Sequence, residues 1–224
     1  DLVIPLIDLS EISDSDLILL KSSTEKTTNE KNSNDSPFSY KTIQVISYLL
    51  GYQNKFSDTS QMDLDLSFKG KKFVDADFSN KDLTKSIFYF SNLSNSSFKN
   101  ANLKNSDFSH STLENINFKN SNLDGVSFRN AQIDNVDFDG ANIENTSFSR
   151  SEISRTNFAN IDFKDQRFNA SFIDQSNLTN AAFENIDFTA SIIANNLLSG
   201  TSFRNSDFSN AIFLNGDLSM VDFT

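Results

Sequence analysis

From Phe68 to Phe223 every fifth residue is Phe, Leu or Ile, 32 consecutive positions without a slip, insertion or deletion. Nineteen of the chain's 23 Phe stand on this ladder. Helices repeat at about 3.6 residues and strands at 2, so neither produces a period of five. A backbone that turns a corner every five residues does. Hydrophobic residues make up only 37% of the 224 and the mean hydropathy is -0.40. Such a composition by itself points toward disorder. The regular placement of the apolar residues points the other way.

Two residues before each ladder position lies a second, smaller set. Of the 32 such positions, 24 are Ser, Ala, Thr, Val or Gly, and three more are Ile116, Ile161 and Ile186. The other five are Leu66, Lys71, Lys81, Gln166 and Asn196. The residue just before the ladder position is usually polar, as in Ala76-Asp77-Phe78, Ala101-Asn102-Leu103, Ser106-Asp107-Phe108 and Ala141-Asn142-Ile143. This pattern resembles the pentapeptide-repeat family, whose motif is a small residue, Asp or Asn, Leu or Phe, then two variable residues. The resemblance covers roughly residues 66–224. It implies an all-β solenoid: a right-handed quadrilateral β-helix with four pentapeptides per turn. In it the central Leu or Phe and the small residue point inward and the other three point out.

Sorting the ladder by 20 supports a four-sided turn independently. Phe68, Phe88, Phe108, Phe128, Phe148, Phe168, Phe188 and Phe208 form an unbroken Phe column. Phe78 to Phe158 form a second one, which continues as Leu178, Leu198 and Leu218. A third column is aliphatic from Leu83 to Ile143 and becomes Phe163, Phe183, Phe203 and Phe223. The fourth runs Phe73, Leu93, Leu113, Ile133, Ile153, Ile173, Ile193 and Phe213. Turns on either side of the switch thus keep two Phe and two aliphatics, as a close-packed interior of constant volume requires. The ladder makes about eight turns, or about 38 Å of rod at ~4.8 Å per turn.

Residues 61–224 are therefore read as the β-helix, and residues 1–60 as an arm, a polar loop and a capping helix. The arm, residues 1–21, carries the apolar stretches at 2–7 and 17–20, as an extended arm or a short helix. Residues 22–36 are polar and low in complexity, as a flexible loop is. Ser36-Pro37 has the form of a helix start, the apolar face of 38–50 follows, and Gly51 is a stop. A solenoid end exposes unpaired backbone, which such a cap would cover. Ile87, Tyr89 and Phe90 are expected to pack under it. Lys71 and Lys81 are expected to mark distorted early turns. Gln166 and Asn196 predict either a buried hydrogen bond or a bulge, with local distortion at Asp165-Gln166-Arg167.

Nothing in the repeat carries recognisable chemistry. There is no Cys, so no disulfide or thiolate, which is neutral as to compartment. The one histidine, His110, is at an outward position and is read as a solvated surface residue without partners for a metal. Asp137 and Asp139 are surface carboxylates with no cleft. The six Gly are too dispersed for a phosphate loop. The reading is non-enzymatic: no catalytic, cofactor-binding or metal residues and no cofactor. No apolar run approaches the ~20 residues of a membrane helix. Asp1 in place of Met indicates a trimmed or processed start, which leaves a removed signal peptide open. Cytoplasmic residence is favoured, with secretion as the other option.

Function then falls to the outer faces and ends. Phe172, Ile192 and Ile212 are 20 apart at a position that is normally polar, with Ala194 and Leu214 beside them. A stacked apolar patch predicts an interface, with a partner or with a second copy, or a surface covered by the N-terminal arm. An open edge after Thr224 predicts either a homodimer through the C-terminal turns or a chain cut at that point. The first reading is a protein–protein interaction scaffold. A second comes from the family resemblance: an acidic rod that mimics DNA and binds DNA gyrase or a topoisomerase, conferring inhibition or drug or toxin resistance. Net charge is -11. Residues 61–120 carry 8 basic and 7 acidic groups, and residues 121–224 carry 6 and 14. Direct nucleic-acid binding, which needs clustered cations, is not expected. A third reading is a secreted effector or surface protein with residues 1–60 as its docking module.

Overall fold

A computed structural model describes Ile7, Asp8 and residues 66–224. The capping helix and polar loop expected within residues 1–60, and with them the expected cover over Ile87, Tyr89 and Phe90, lie outside the described residues. Ile7–Asp8 (β1) pairs in parallel with Leu66–Ser67 (β2). From Ser67↔Ile87 to Ser202↔Asp222 every pairing is parallel and 20 residues apart. The fold is a β-solenoid with four ladder residues in each 20-residue turn.

Two faces carry short strands. One is a six-stranded sheet of Thr112–Glu114 (β3), Gln132–Asp134 (β4), Glu152–Ser154 (β5), Phe172–Asp174 (β7), Ile192–Ala194 (β9) and Ile212–Leu214 (β11). The other is a three-stranded sheet of Asp162–Lys164 (β6), Ala182–Glu184 (β8) and Ser202–Arg204 (β10). The two Phe-rich faces between them are joined by single bridges such as Asp107↔Ser127 and Asn117↔Asp137.

The corners explain the period of five. Every fifth residue from Gly70 to Asn215 has positive φ: 26 non-glycine residues and four glycines, 30 in all. The left-handed conformation crowds Cβ against the next carbonyl, and Asn, Asp and Gly tolerate it best. Sixteen of the 30 are Asn, from Asn80 to Asn215. Each corner is tied to the next turn. Phe88 N–H donates to the Asp107 carbonyl (2.7 Å) and Phe90 N–H to Ser109 (3.1 Å), while Ser91 N–H closes the turn onto Phe88 (3.0 Å). The corner amides add a second ladder: Asn100 Nδ2 donates to Asn80 Oδ1 (3.0 Å), and Asn135 to Asn115 (2.7 Å). The polar residue before each ladder position caps the bend, as when Asp107 Oδ1 accepts from Ser109 N–H at 2.8 Å.

The ladder side chains fill the rod. Rings of one Phe column stack at 4.7–5.4 Å from Phe68 to Phe208. Neighbouring Phe columns meet edge to face, as Phe118 and Phe108 do at 5.8 Å and 90°. At the switch Phe158 meets Phe163 at 5.4 Å and 72°, and Phe163 stacks on Phe183 at 4.5 Å and 6°. Both arrangements are favourable for ring quadrupoles. Several buried Ser at the small position satisfy their hydroxyls on the backbone, as Ser111 does on the Phe108 carbonyl (2.6 Å), whereas the hydroxyls of Ser86, Ser171 and Ser191 are buried without a partner.

The expected distortions do not occur. Lys72↔Asn92, Asp82↔Asn102, Ser147↔Arg167 and Arg167↔Asp187 all keep register. Lys71 is half-buried, Lys81 is buried and both are engaged with neighbours, so long stems are accommodated without displacing the chain. Gln166 Nε2 donates to the Ile143 carbonyl (3.1 Å) and Asn196 Nδ2 to Ile173 (2.8 Å), each reaching the turn before it. The only trace at 165–167 is a stretched bond of 3.5 Å from Asp187 N–H to Gln166.

Core volume is testable across the switch. Leu178→Phe puts a third ring beside Phe163 and Phe168 and is expected to cost about 1–3 kcal/mol. Phe163→Leu leaves a void and costs at least about 1 kcal/mol. Made together they restore two rings per turn. Urea unfolding is expected to find the double variant at least ~0.5 kcal/mol more stable than the sum of the singles, and strict additivity would refute volume compensation.

Candidate functional site

The sheet β3–β11 presents two outward rows, one on each side of its buried ladder column. In the first row Thr112, Gln132, Glu152, Phe172, Ile192 and Ile212 are partners in register. In the second, Glu114, Asp134, Ser154, Asp174, Ala194 and Leu214 are. The first row is polar on its first three strands and apolar on its last three, and the second turns apolar only after Asp174. Phe172 is 39% exposed, Ile212 48% and Leu214 47%, with Ile192 half-buried between them. Ala194 departs from expectation. It is 3% exposed, because a methyl does not reach past Asp174 and Leu214, its partners one turn to either side. The patch is therefore made of Phe172, Ile192, Ile212 and Leu214.

At the polar end of the same face lies an open groove of about 240 Å³ lined by Thr112, Glu114, Gln132, Ile133, Asp134, Glu152 and Ser154. Its best-placed carboxylate is occupied: Asp134 accepts from Ser154 Oγ at 2.8 Å and pairs with Arg155. Asp174, where the polar rows end, is held by Asn195 Nδ2 (2.7 Å) and Gln175 Nε2 (2.9 Å). Among the described residues no three His, Cys, Asp or Glu side chains are grouped to hold a metal, and no helix is long and apolar enough to cross a membrane.

Elsewhere some of the charges are paired across one turn. Lys104 meets Asp124 at 2.6 Å, Lys119 bridges Asp137 (3.2 Å) and Asp139 (3.5 Å), and Arg204 meets Asp222 at 3.1 Å. The Asn145 amide, then Lys104, hold the Asp124 carboxyl below its usual range. The hydroxyl and N–H of Ser209 do the same for Asp207, and those of Thr224 for Asp222. Exposed pairs of this kind contribute little to stability individually. Their effect is to neutralise part of the acidic surface.

His110 is placed differently from the solvated residue expected. It is half-buried at a corner, its ring stacked on Phe90 at 4.7 Å. Sequence reasoning missed this contact, although the two residues are 20 apart.

Known proteins agree with the fold. The description "Pentapeptide repeat region" matches residues 64–138 and 91–168, and "Pentapeptide repeats (8 copies)" matches residues 193–224. No curated protein matches the chain. Among solved structures, a trypsin-treated form of QnrB1, a plasmid-mediated fluoroquinolone resistance protein, is 19% identical, with a TM-score of 0.52 over 67% of this chain and 84% of that one. A pentapeptide repeat protein from the Arabidopsis thaliana thylakoid lumen is 21% identical over 53% of this chain and 68% of its own, with a TM-score of 0.30. The likeness to QnrB1, at 19% identity, is one of fold alone.

The bend caps predict an acid dependence. The folded-state pKa of Asp207 is lowered, so its contribution is present above the unfolded value of about 3.9 and is lost as pH falls through the folded value. Asp207→Asn keeps an oxygen to accept from Ser209 but cannot titrate. Thermal melts between about pH 5 and pH 2 are expected to fall less steeply for this variant than for the parent. Equal slopes would refute the assignment.

Proposed function

The chain belongs to the pentapeptide-repeat family, and on that premise we propose that it is a non-catalytic protein-interaction scaffold that binds through the apolar end of the β3–β11 sheet. One observation carries the reading: Phe172, Ile192 and Ile212 stack in register on three consecutive strands, with Leu214 alongside, at positions that hold polar residues on the earlier strands. Scattered exposed apolar residues are ordinary, but a contiguous apolar patch with a polar margin is a feature of contact surfaces. The rod suits this task, because its interior is filled by its own rings and leaves the outer faces free to vary.

A second reading, an acidic DNA mimic acting on DNA gyrase or a topoisomerase, draws on the net charge of -11 and on the likeness in fold to a fluoroquinolone resistance protein. The ion pairs of Lys104, Lys119, Arg155 and Arg204 weigh against it, since they cancel carboxylates that would stand in for phosphates. It predicts that the purified protein inhibits gyrase supercoiling or relieves quinolone inhibition. No effect at micromolar protein would remove it.

The scaffold reading is tested by a photo-crosslinking residue placed at position 212 in cells of the native host, with position 139 on another face as the control. A discrete protein adduct is expected from 212 and not from 139, and Ile192→Glu in the same chain is expected to abolish it. The adduct's mass tells a second copy from a different protein. Identical adducts from both positions, or none, would overturn the reading.

A further inference from the structure

One corner of the rod differs from the other three. It runs Gly70, Phe90, His110, Asn130, Arg150, Ala170, Ala190 and Asn210, each with φ between 55° and 70°, and from Gly70 to Ala190 each is tied to the next turn by its N–H, as His110 is to the Arg129 carbonyl (2.9 Å). The residues just before them are Lys69, Tyr89, Ser109, Arg129, Ser149, Asn169, Thr189 and Ser209. Neither row holds an Asp or a Glu. The corner after the β3–β11 sheet, by contrast, carries Asp75, Glu114, Asp134 and Asp174. Lys104, Lys119, Arg155 and Arg204, elsewhere on the rod, each meet a carboxylate. Among the described residues Arg129 and Arg150 form no ion pair, and both are exposed. Glu152, two residues after Arg150, forms no ion pair with either arginine, and Asp107 accepts from Ser109 N–H and so is turned onto the backbone.

The same corner holds an aromatic cluster. Phe90 stacks on His110 at 4.7 Å, Tyr89 meets Phe90 edge-on at 4.6 Å and His110 at 5.1 Å, and Lys69 Nζ stands 5.5 Å from the Tyr89 ring centre. Asn130 Nδ2 lies 3.2 Å from His110 Nε2 and fixes the ring from the other side. Phe90 is 56% exposed and has φ 58°. A bulky aromatic residue is poorly suited to that conformation, which Asn fills at sixteen other corners. Among the described residues the ring gains little from burial, and its conformation does not favour the turn. Strain of this kind is concentrated at binding sites.

We propose that this corner binds an acidic peptide segment of a partner protein, with an aromatic side chain of that segment laid on the Tyr89–Phe90–His110 shelf and its carboxylates on Lys69, Arg129 and Arg150. The spacing fits. Lys69 and Arg129 are three turns apart, ~14 Å at ~4.8 Å per turn, and the shelf lies between them. An extended segment of about five residues spans that distance. Arg favours carboxylate through its planar fork of donors, and aromatic and Arg side chains dominate binding surfaces. The surface is separate from the apolar sheet end, and its test is independent of that one.

The test is calorimetric titration of the full chain, at low salt, with a short blocked peptide of glutamate and tyrosine, a glutamate-only peptide and oligothymidine. The Glu–Tyr peptide is expected to bind, and more weakly as salt rises. Phe90→Asn is expected to fold with equal or higher thermal stability, since Asn suits the corner, yet to weaken binding ~tenfold. A merely structural Phe90 would not separate the two readouts. Arg129→Ala with Arg150→Ala is expected to weaken binding to a similar degree and to flatten its salt dependence. No binding of the Glu–Tyr peptide, or full binding by Phe90→Asn, would overturn the proposal. Equal binding of the glutamate-only peptide would overturn the aromatic anchor. Tighter binding of oligothymidine, lost in the same variants, would overturn the peptide assignment in favour of a nucleic acid.

Discussion

The structure depends on a left-handed residue recurring every five positions. A chain that bends at that interval cannot form a helix, and its straight runs are too short for ordinary strands. What it gains is closure: after four bends it returns above itself, and backbone groups near the corner find partners one turn away or across the bend itself. Leaving a buried peptide group unpaired costs about as much as a lost hydrogen bond, so the ladder ties the bends together as strictly as any sheet. Insertion of a single residue would rotate every later side chain to the wrong place. That is why 32 ladder positions pass without a slip.

Once the bends fix the cross-section, core volume is no longer adjustable. A straight rod needs nearly the same filling at every level, and two rings with two aliphatics provide it. The exchange of Phe between two columns after Phe158 shows that volume matters more than which side supplies it. Phe163 takes up the stacking that Leu178 abandons, and Phe183 and Phe203 continue it. The column Phe68–Phe208 remains the axis against which both arrangements pack edge to face.

These demands explain what was legible in the sequence. The inward columns were, because burial imposes a residue class at a fixed interval. The in-register stacking of Phe172, Ile192 and Ile212 was, because outward positions obey the same interval. The corner residue was read as variable, although Asn80, Asn95, Asn100, Asn105 and their successors mark it; its signal is a backbone conformation rather than a hydrophobic pattern. The distortions expected at Lys81 and Gln166 failed for a different reason. A long polar side chain buried beside a ladder need not move it, since the carbonyl of the preceding turn lies within reach. Ala194 was misread because exposure depends on how far neighbouring side chains extend. The shelf of Tyr89, Phe90 and His110 combines both kinds of difficulty: register brings the residues together, but ring orientation makes the surface.

A fold that satisfies its core so regularly separates stability from function more cleanly than a globular domain does. In a globular core one residue commonly serves packing and chemistry together. Here a residue that breaks the outward pattern has no packing duty to explain it, and its oddity is therefore informative. Phe172 and Phe90 are the two clearest cases, one at a sheet position and one at a corner. The carboxylate-free corner leads directly into the β3–β11 sheet, so both lie along one side of the rod. They are four turns apart, ~19 Å at ~4.8 Å per turn. An extended segment of only about six residues covers that distance. Contacts at the two surfaces are thus compatible with a single partner, and their effects on affinity would add if they act independently, because residues so far apart share no neighbours.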